Sequence, residues 1–193
     1  MSAKAAIRTA ARSAIAALCL SAPMALIAPA ADAEVIEKDA DHFVLRYSVG
    51  LETAPEDIYS AIGEVGQWWD SAHTYSGDAR NLTLPLEVGG CFCEALADGK
   101  TFEHGRVMQA DPETGVLLEA PLGPLKGKAT TAQWSLGWSG VAGGWEMVMT
   151  YVVRGPGLGA FAEGVDGVMQ GQFSRWVRFT EYGPDVPAET SSH

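Results

Sequence analysis

Cys91, Cys93 and Glu94 lie within Gly89-Gly90-Cys91-Phe92-Cys93-Glu94, and His104-Gly105 follows a short way on, so one stretch holds two thiols, a carboxylate and an imidazole. A carboxylate that orients an imidazole makes a general base. Two thiols and an imidazole make a soft ligand set suited to zinc or copper(I). Two thiols alone can pack as small apolar side chains or join as a disulfide. The folding of this stretch decides among these chemistries.

Cys91 to Leu96 and Thr101 to Met108 flank Ala97-Asp98-Gly99, and an Asp-Gly pair between apolar runs predicts a hairpin. A two-residue loop, Asp98 and Gly99, sets Cys93 opposite His104 and gathers both thiols with Phe102 and His104 on one face. A three-residue loop with Gly99 left-handed gathers Phe92, Glu94 and His104 instead. The first parity suits a metal site of Cys91, Cys93 and His104, with His73 as a further ligand; the second suits acid–base chemistry. Both remain open at this point. For the cysteines themselves the favoured reading is two buried reduced side chains, because an extended strand holds their Cα atoms about 6.5–7 Å apart, near the outer limit for a bridge. No Cys-x-x-Cys or His-x-x-x-His spacing supports a metal cluster, and His42 and His193 are expected to be solvated or satisfied within the fold.

The elements that must position these groups follow a signal-like start. Lys4, Arg8 and Arg12 precede an apolar run from Ala14 to Ile27 that ends in Ala31-Asp32-Ala33, which predicts a signal peptide over 1–33 cut before Glu34. The run is short for a membrane span and Pro23 interrupts it, while Leu18 before Cys19 argues against a lipid anchor. The expected location is periplasmic or secreted, with no stable membrane insertion. The formal net charge is −11 and becomes more negative once the leader is removed. Such a chain lacks the basic surface that nucleic acid requires.

Phe43, Leu45, Tyr47, Val49 and Leu51 alternate with Val44, Arg46, Ser48, Gly50 and Glu52, which predicts a half-buried strand. Thr53-Ala54-Pro55-Glu56 reads as a capping box opening a helix that carries Ile58, Ile62 and Val65 on one face and ends near Gly66. After Trp68-Trp69 the segment from Asp70 to Arg80 is polar and irregular, and Leu82, Leu84, Leu86 and Val88 resume a period of two around Pro85. Val116 to Ala120, Ala129 to Trp138 and Trp145 to Arg154 predict three further strands of an antiparallel sheet. The Gly-Pro cluster from Arg154 to Gly159 reads as a turn, since it lacks the lysine of a phosphate loop. A closing helix from about Ala160 to Tyr182 carries Phe161, Val165, Val168, Met169, Gln172, Trp176 and Phe179 on its apolar face. Gly164, Gly167 and Gly171 flank that face, each costing about 1 kcal/mol against alanine, which implies close approach to a sheet or ligand, or else a loosely held helix.

Strand, helix, multi-stranded sheet and long terminal helix follow the order of the α+β helix-grip fold, and over about 42–182 the chain resembles the START-related SRPBCC superfamily. That superfamily includes polyketide cyclases, lipid-transfer domains and pollen-allergen-like proteins. The likeness rests on Ala54-Pro55-Glu56-Asp57-Ile58-Tyr59, Trp68-Trp69, Gly89-Gly90 and His104-Gly105-Arg106-Val107. It is closer to exported bacterial members that carry Gly-Gly-Cys-Phe-Cys-Glu, the His73 to Gly77 segment and Leu122-Gly123-Pro124-Leu125. The resemblance implies one domain over 42–182, preceded by a segment over 34–41 and followed by a disordered tail over 183–193.

It also implies a curved antiparallel sheet wrapped around the long C-terminal helix, with a mostly apolar cavity between them. Trp69, His73, Tyr75 and Phe92 are expected to line that cavity. So are Trp134, Trp138, Trp145 and Tyr151 from the sheet, and Phe161, Val165, Met169 and Gln172 from the helix. The favoured function is binding of a hydrophobic small molecule or lipid, with no cofactor. One alternative is a cyclase- or hydrolase-like enzyme in which Glu94 and His104 act as an oriented base and Tyr75 or His73 as the acid, on a polyketide-like or lactone substrate. The other is the thiol and metal site described above.

Overall fold

A computed structural model describes residues 32–184. Most of the predicted signal peptide, with Cys19, and the tail from residue 185 onward lie outside the described residues. The chain runs through β1 (Asp32–Lys38), β2 (His42–Leu51), α1 (Pro55–Gly63), α2 (Val65–Trp68), β3 (Leu82–Thr83), β4 (Cys91–Ala95) and β5 (Thr101–Asp111). It continues through β6 (Gly115–Glu119), β7 (Thr131–Val141), β8 (Gly144–Arg154) and α3 (Ala162–Tyr182). The strands form one antiparallel eight-stranded sheet in the order β1-β2-β8-β7-β6-β5-β4-β3, curved around α3. This is the α+β helix-grip arrangement. Among the described residues no helix is long and apolar enough to cross a membrane.

The period of two decides which side chains face the helix. Along β8, Met147, Met149, Tyr151 and Val153 are buried; along β7, Ala132, Trp134, Leu136 and Trp138 are. From α3, Met169, Phe173 and Trp176 close the core, with Phe173 stacked on Tyr47 at 5.7 Å and Trp176 beside Trp68 at 6.2 Å. Each large side chain fully buried in this way contributes roughly 1.5–3 kcal/mol.

Several local expectations are corrected. The helix predicted to run to Gly66 stops at Gly63 and restarts as α2. Its N-cap is Ala54 and makes no side-chain bond, so the Thr53 capping box does not form and Pro55 alone sets the first turn. The strand expected from Leu82 to Val88 pairs only at Leu82 and Thr83. Beyond Pro85 the chain crowds Gly90, where any Cβ would lie 2.3 Å from the Pro85 carbonyl oxygen. A short 3-10 helix, Leu158–Phe161, precedes α3. Gly164, Gly167 and Gly171 do not approach the sheet, because a Cβ on any of them meets nothing within 4 Å. Residues 34–38, read as part of a segment ahead of the domain, belong to β1 and pair with β2.

Candidate functional site

The β4–β5 hairpin has the three-residue loop, with Gly99 left-handed at φ 79° and the Leu96 amide donating to the Lys100 carbonyl at 2.8 Å. Glu94 pairs with Phe102 and Cys93 with Glu103, but Phe92 then pairs with Gly105. His104 is therefore the extra residue of a β-bulge, and such insertions re-aim side chains. Phe92, Glu94 and His104 are all buried on the inner face, while Cys91 and Cys93 are half-buried on the other. Gly105 permits this close fit, since a Cβ there would meet the Ala120 Cβ at 2.5 Å.

Two expectations fall with that parity. Cys91 and Cys93 are joined as a disulfide rather than packed as buried thiols, with their Cα atoms 5.2 Å apart, inside the bridging range and closer than an extended strand would hold them. The metal set of Cys91, Cys93 and His104 is not assembled, since the imidazole lies on the opposite face from the bonded sulfurs. Among the described residues no group of three metal-ligating side chains forms.

The irregular segment from Asp70 to Arg80 folds over the inner face and supplies Glu94 with donors. The Tyr75 amide donates to Glu94 Oε2 at 3.1 Å, the Ser76 amide donates to Oε1, and His104 Nε2 lies 2.7 Å from Oε2. Burial alone would raise the Glu94 pKa, but hydrogen bonds from Ser76, the Tyr75 amide and His104 outweigh it and hold the carboxyl below the ordinary range. Burial lowers the His104 pKa more than the Glu94 carboxylate raises it, and Lys126 adds to the lowering. The pair is thus an ionised carboxylate and a neutral imidazole. The single ring proton sits on Nε2, facing Glu94. Nδ1 has no hydrogen-bond partner among the described residues and is not among their sealed polar atoms.

His104 opens onto a cleft of about 660 Å³ between α3, the 70–81 segment and the turn at Leu122-Gly123-Pro124. Of the residues named from the sequence, Trp69, His73, Tyr75, Phe161, Val165 and Met169 line it along with His104. The Tyr75 ring packs tilted against Phe102 at 4.2 Å and lies 5.7 Å from His104.

The other named residues do different work. Phe92 and Trp134 are buried behind Trp69, with ring centroids 5.6 and 5.7 Å from it. Tyr151 holds the Leu122 turn of the cleft wall from behind, its hydroxyl donating to the Ala120 carbonyl at 2.7 Å and accepting from the Leu122 amide at 3.1 Å. Gln172 is a strut, its Oε1 accepting from the Asp70 amide at 2.9 Å. Trp138 and Trp145 stand toward the other end of the sheet, Trp138 beside Tyr59 at 6.1 Å and Trp145 opposite Leu51. Thr74, Leu122, Gly123, Pro124, Ala160, Gly164 and Val168 also line the cleft, although none was among the expected ligand-binding residues. Their signals in the sequence were indirect: Val168 stood on the apolar face of the closing helix, Gly164 on its flank, Thr74 in the His73 to Gly77 segment, and the Leu-Gly-Pro turn carries no chemistry of its own.

No family model matches this sequence, and no curated protein matches it. Solved structures do resemble the fold. An uncharacterized protein from Rhizobium leguminosarum is 19% identical over 75% of this chain and 98% of its own, with a TM-score of 0.52. CalU16 from Micromonospora echinospora is 12% identical over 82% of this chain and 88% of its own, with a TM-score of 0.53. The di-domain ARO/CYC StfQ from the steffimycin biosynthetic pathway is 12% identical over 76% of this chain and 53% of its own, with a TM-score of 0.51. At these identities the likeness is one of fold, the helix grip. In this helix grip the cleft lies against the N-terminal half of α3, where Val165, Val168 and Met169, with Phe161 from the 3-10 turn just before the helix, supply an apolar wall.

Proposed function

We propose that this protein is exported and binds a hydrophobic small molecule or lipid in the cleft, with a hydroxyl of the ligand donating to His104 Nδ1. One observation carries the reading: a largely apolar cleft of about 660 Å³, within the range of small-molecule sites, holds a single buried imidazole oriented by a carboxylate. Residues 1–33 support export, since their cationic start, apolar run and Ala-Asp-Ala ending fit a cleaved leader. The likeness to the exported branch that carries Gly-Gly-Cys-Phe-Cys-Glu supports the same placement. Native mass spectrometry of the protein purified from the periplasm tests both parts. The expected species begins at Glu34 and carries a copurified apolar adduct. A chain that begins at Met1, or one that takes up no apolar probe, contradicts the proposal.

The Glu94–His104 pair favours a second reading, an enzyme of the cyclase or hydrolase type. A neutral imidazole held by a carboxylate can take a proton from an enol or hydroxyl at Nδ1, with Tyr75 or His73 placed on the same cleft wall to return one. In that case turnover, and not merely affinity, would follow deprotonation of His104.

A further inference from the structure

The charges at the mouth of the cleft run against the character of the chain. Asp and Glu number 24 against 13 Lys and Arg, and among the described residues most cations lie beside an anion. Lys38 pairs with Glu163 at 3.2 Å and Lys100 with Asp98 at 2.5 Å. Lys126 and Lys128 do not pair with a carboxylate among the described residues. Both are exposed; they come after Leu125, next to the Leu122-Gly123-Pro124 turn of the cleft wall, and lie beside the lining rather than in it. The Lys126 ammonium lies 4.9 Å from the centre of Phe102, the ring packed against Tyr75, and donates to the Glu103 carbonyl. The Lys128 ammonium lies 4.7 Å from the centre of Phe161, itself a cleft residue. Neighbouring carboxylates are already engaged, Glu103 by Arg106 and Glu163 by Lys38.

The inner end has the opposite polarity. Glu94 is buried and ionised behind a neutral His104, so an anion driven to that depth would meet a negative charge in a poorly solvated place. From these two ends we infer that the cleft selects amphipathic ligands bearing a carboxylate, with the acid group at the mouth on Lys126 and Lys128 and the apolar body along α3. This rests on the reading of the cleft as a ligand site and adds the class and direction of the ligand. Two point-charge ammonium groups suit a monoanion.

The test uses dansyl-undecanoic acid and its methyl ester, two probes with the same body that differ in charge, titrated into the full-length mature protein at about pH 8. The acid is expected to bind about five- to tenfold more tightly than the ester, as two partly exposed ion pairs allow. Lys126→Gln with Lys128→Gln should abolish that preference and leave the ester unchanged. Lys126→Glu with Lys128→Glu should reverse it, while Lys100→Gln, at the hairpin tip, should do nothing. Equal binding of acid and ester to the wild type overturns the inference but leaves the cleft reading intact. A preference that survives both rim variants overturns it as well. Binding of neither probe overturns the cleft reading and this inference with it.

Discussion

His104 Nε2 lies 2.7 Å from Glu94 Oε2, and this one contact determines which face of the imidazole meets the cleft. The bulge that inserts His104 opposite Phe92 brings the ring onto the inner face. The Tyr75 and Ser76 amides hold the carboxylate that fixes its tautomer. A loop, a bulge and a buried anion thus act together on a single nitrogen, Nδ1.

Glu94→Ala should be among the most destabilising single changes in the hairpin. It leaves the Tyr75 and Ser76 amides and the His104 ring without their acceptor, at about 1–3 kcal/mol for each group that stays buried. Chemical denaturation is the measurement. Glu94→Gln, which keeps an acceptor oxygen, should lose less.

Stability should decline on acidification in two steps. The folded-state pKa of His104 lies below its ordinary 6.5, so between those values the unfolded chain holds a proton that the folded chain lacks, and stability is lost as pH falls below about 6.5. The Glu94 pKa lies below its ordinary 4.5, so its contribution is present above that value and is lost as pH falls through the folded pKa. Melting temperature against pH, compared between the wild type and His104→Phe, should show the upper step only in the wild type.

Gly105→Ala should unseat the bulge. The new Cβ would meet the Ala120 Cβ at 2.5 Å and the Glu119 carbonyl oxygen at 2.8 Å, and relief requires backbone movement. The expected loss is about 1–3 kcal/mol, together with weaker binding of a cleft probe. An unchanged melting curve would remove the bulge from the account.

The Cys91–Cys93 bridge lies on the outer face, away from the cleft. Thiol titration of the mature protein should find no free thiol before reduction and two after it. Cys91→Ser with Cys93→Ser should lower stability modestly, because a bridge over one residue closes a very short loop, and should leave probe affinity unchanged.

The sheet was legible because alternation is a local property: Met147, Met149, Tyr151 and Val153 announce their buried face by spacing alone. The hairpin was not, because a loop one residue longer exchanges the faces of Cys93 and Glu94, and the bulge at His104 leaves no mark in residue type. Alternation also gives a face without a position along the strand. Trp138 and Trp145 were therefore expected in the cavity although they stand toward the far end of β7 and β8. Gln172 looked like a ligand contact because its partner, the Asp70 amide, belongs to a segment with no periodicity from which to place it.

The central claim, that the cleft against α3 holds a hydrophobic ligand, is tested most directly by filling it without unfolding the protein. Gly164 lines the cleft, and a Cβ there meets nothing within 4 Å, so Gly164→Phe should occupy the space while improving the helix by a few tenths to about 1 kcal/mol. Gly171→Phe, on the same helix but outside the cleft lining, is the control. A titration with the neutral dye Nile red is predicted to give one saturable site in the wild type and in Gly171→Phe, and none in Gly164→Phe at equal or higher melting temperature. Undiminished dye binding by a well-folded Gly164→Phe protein would contradict the account.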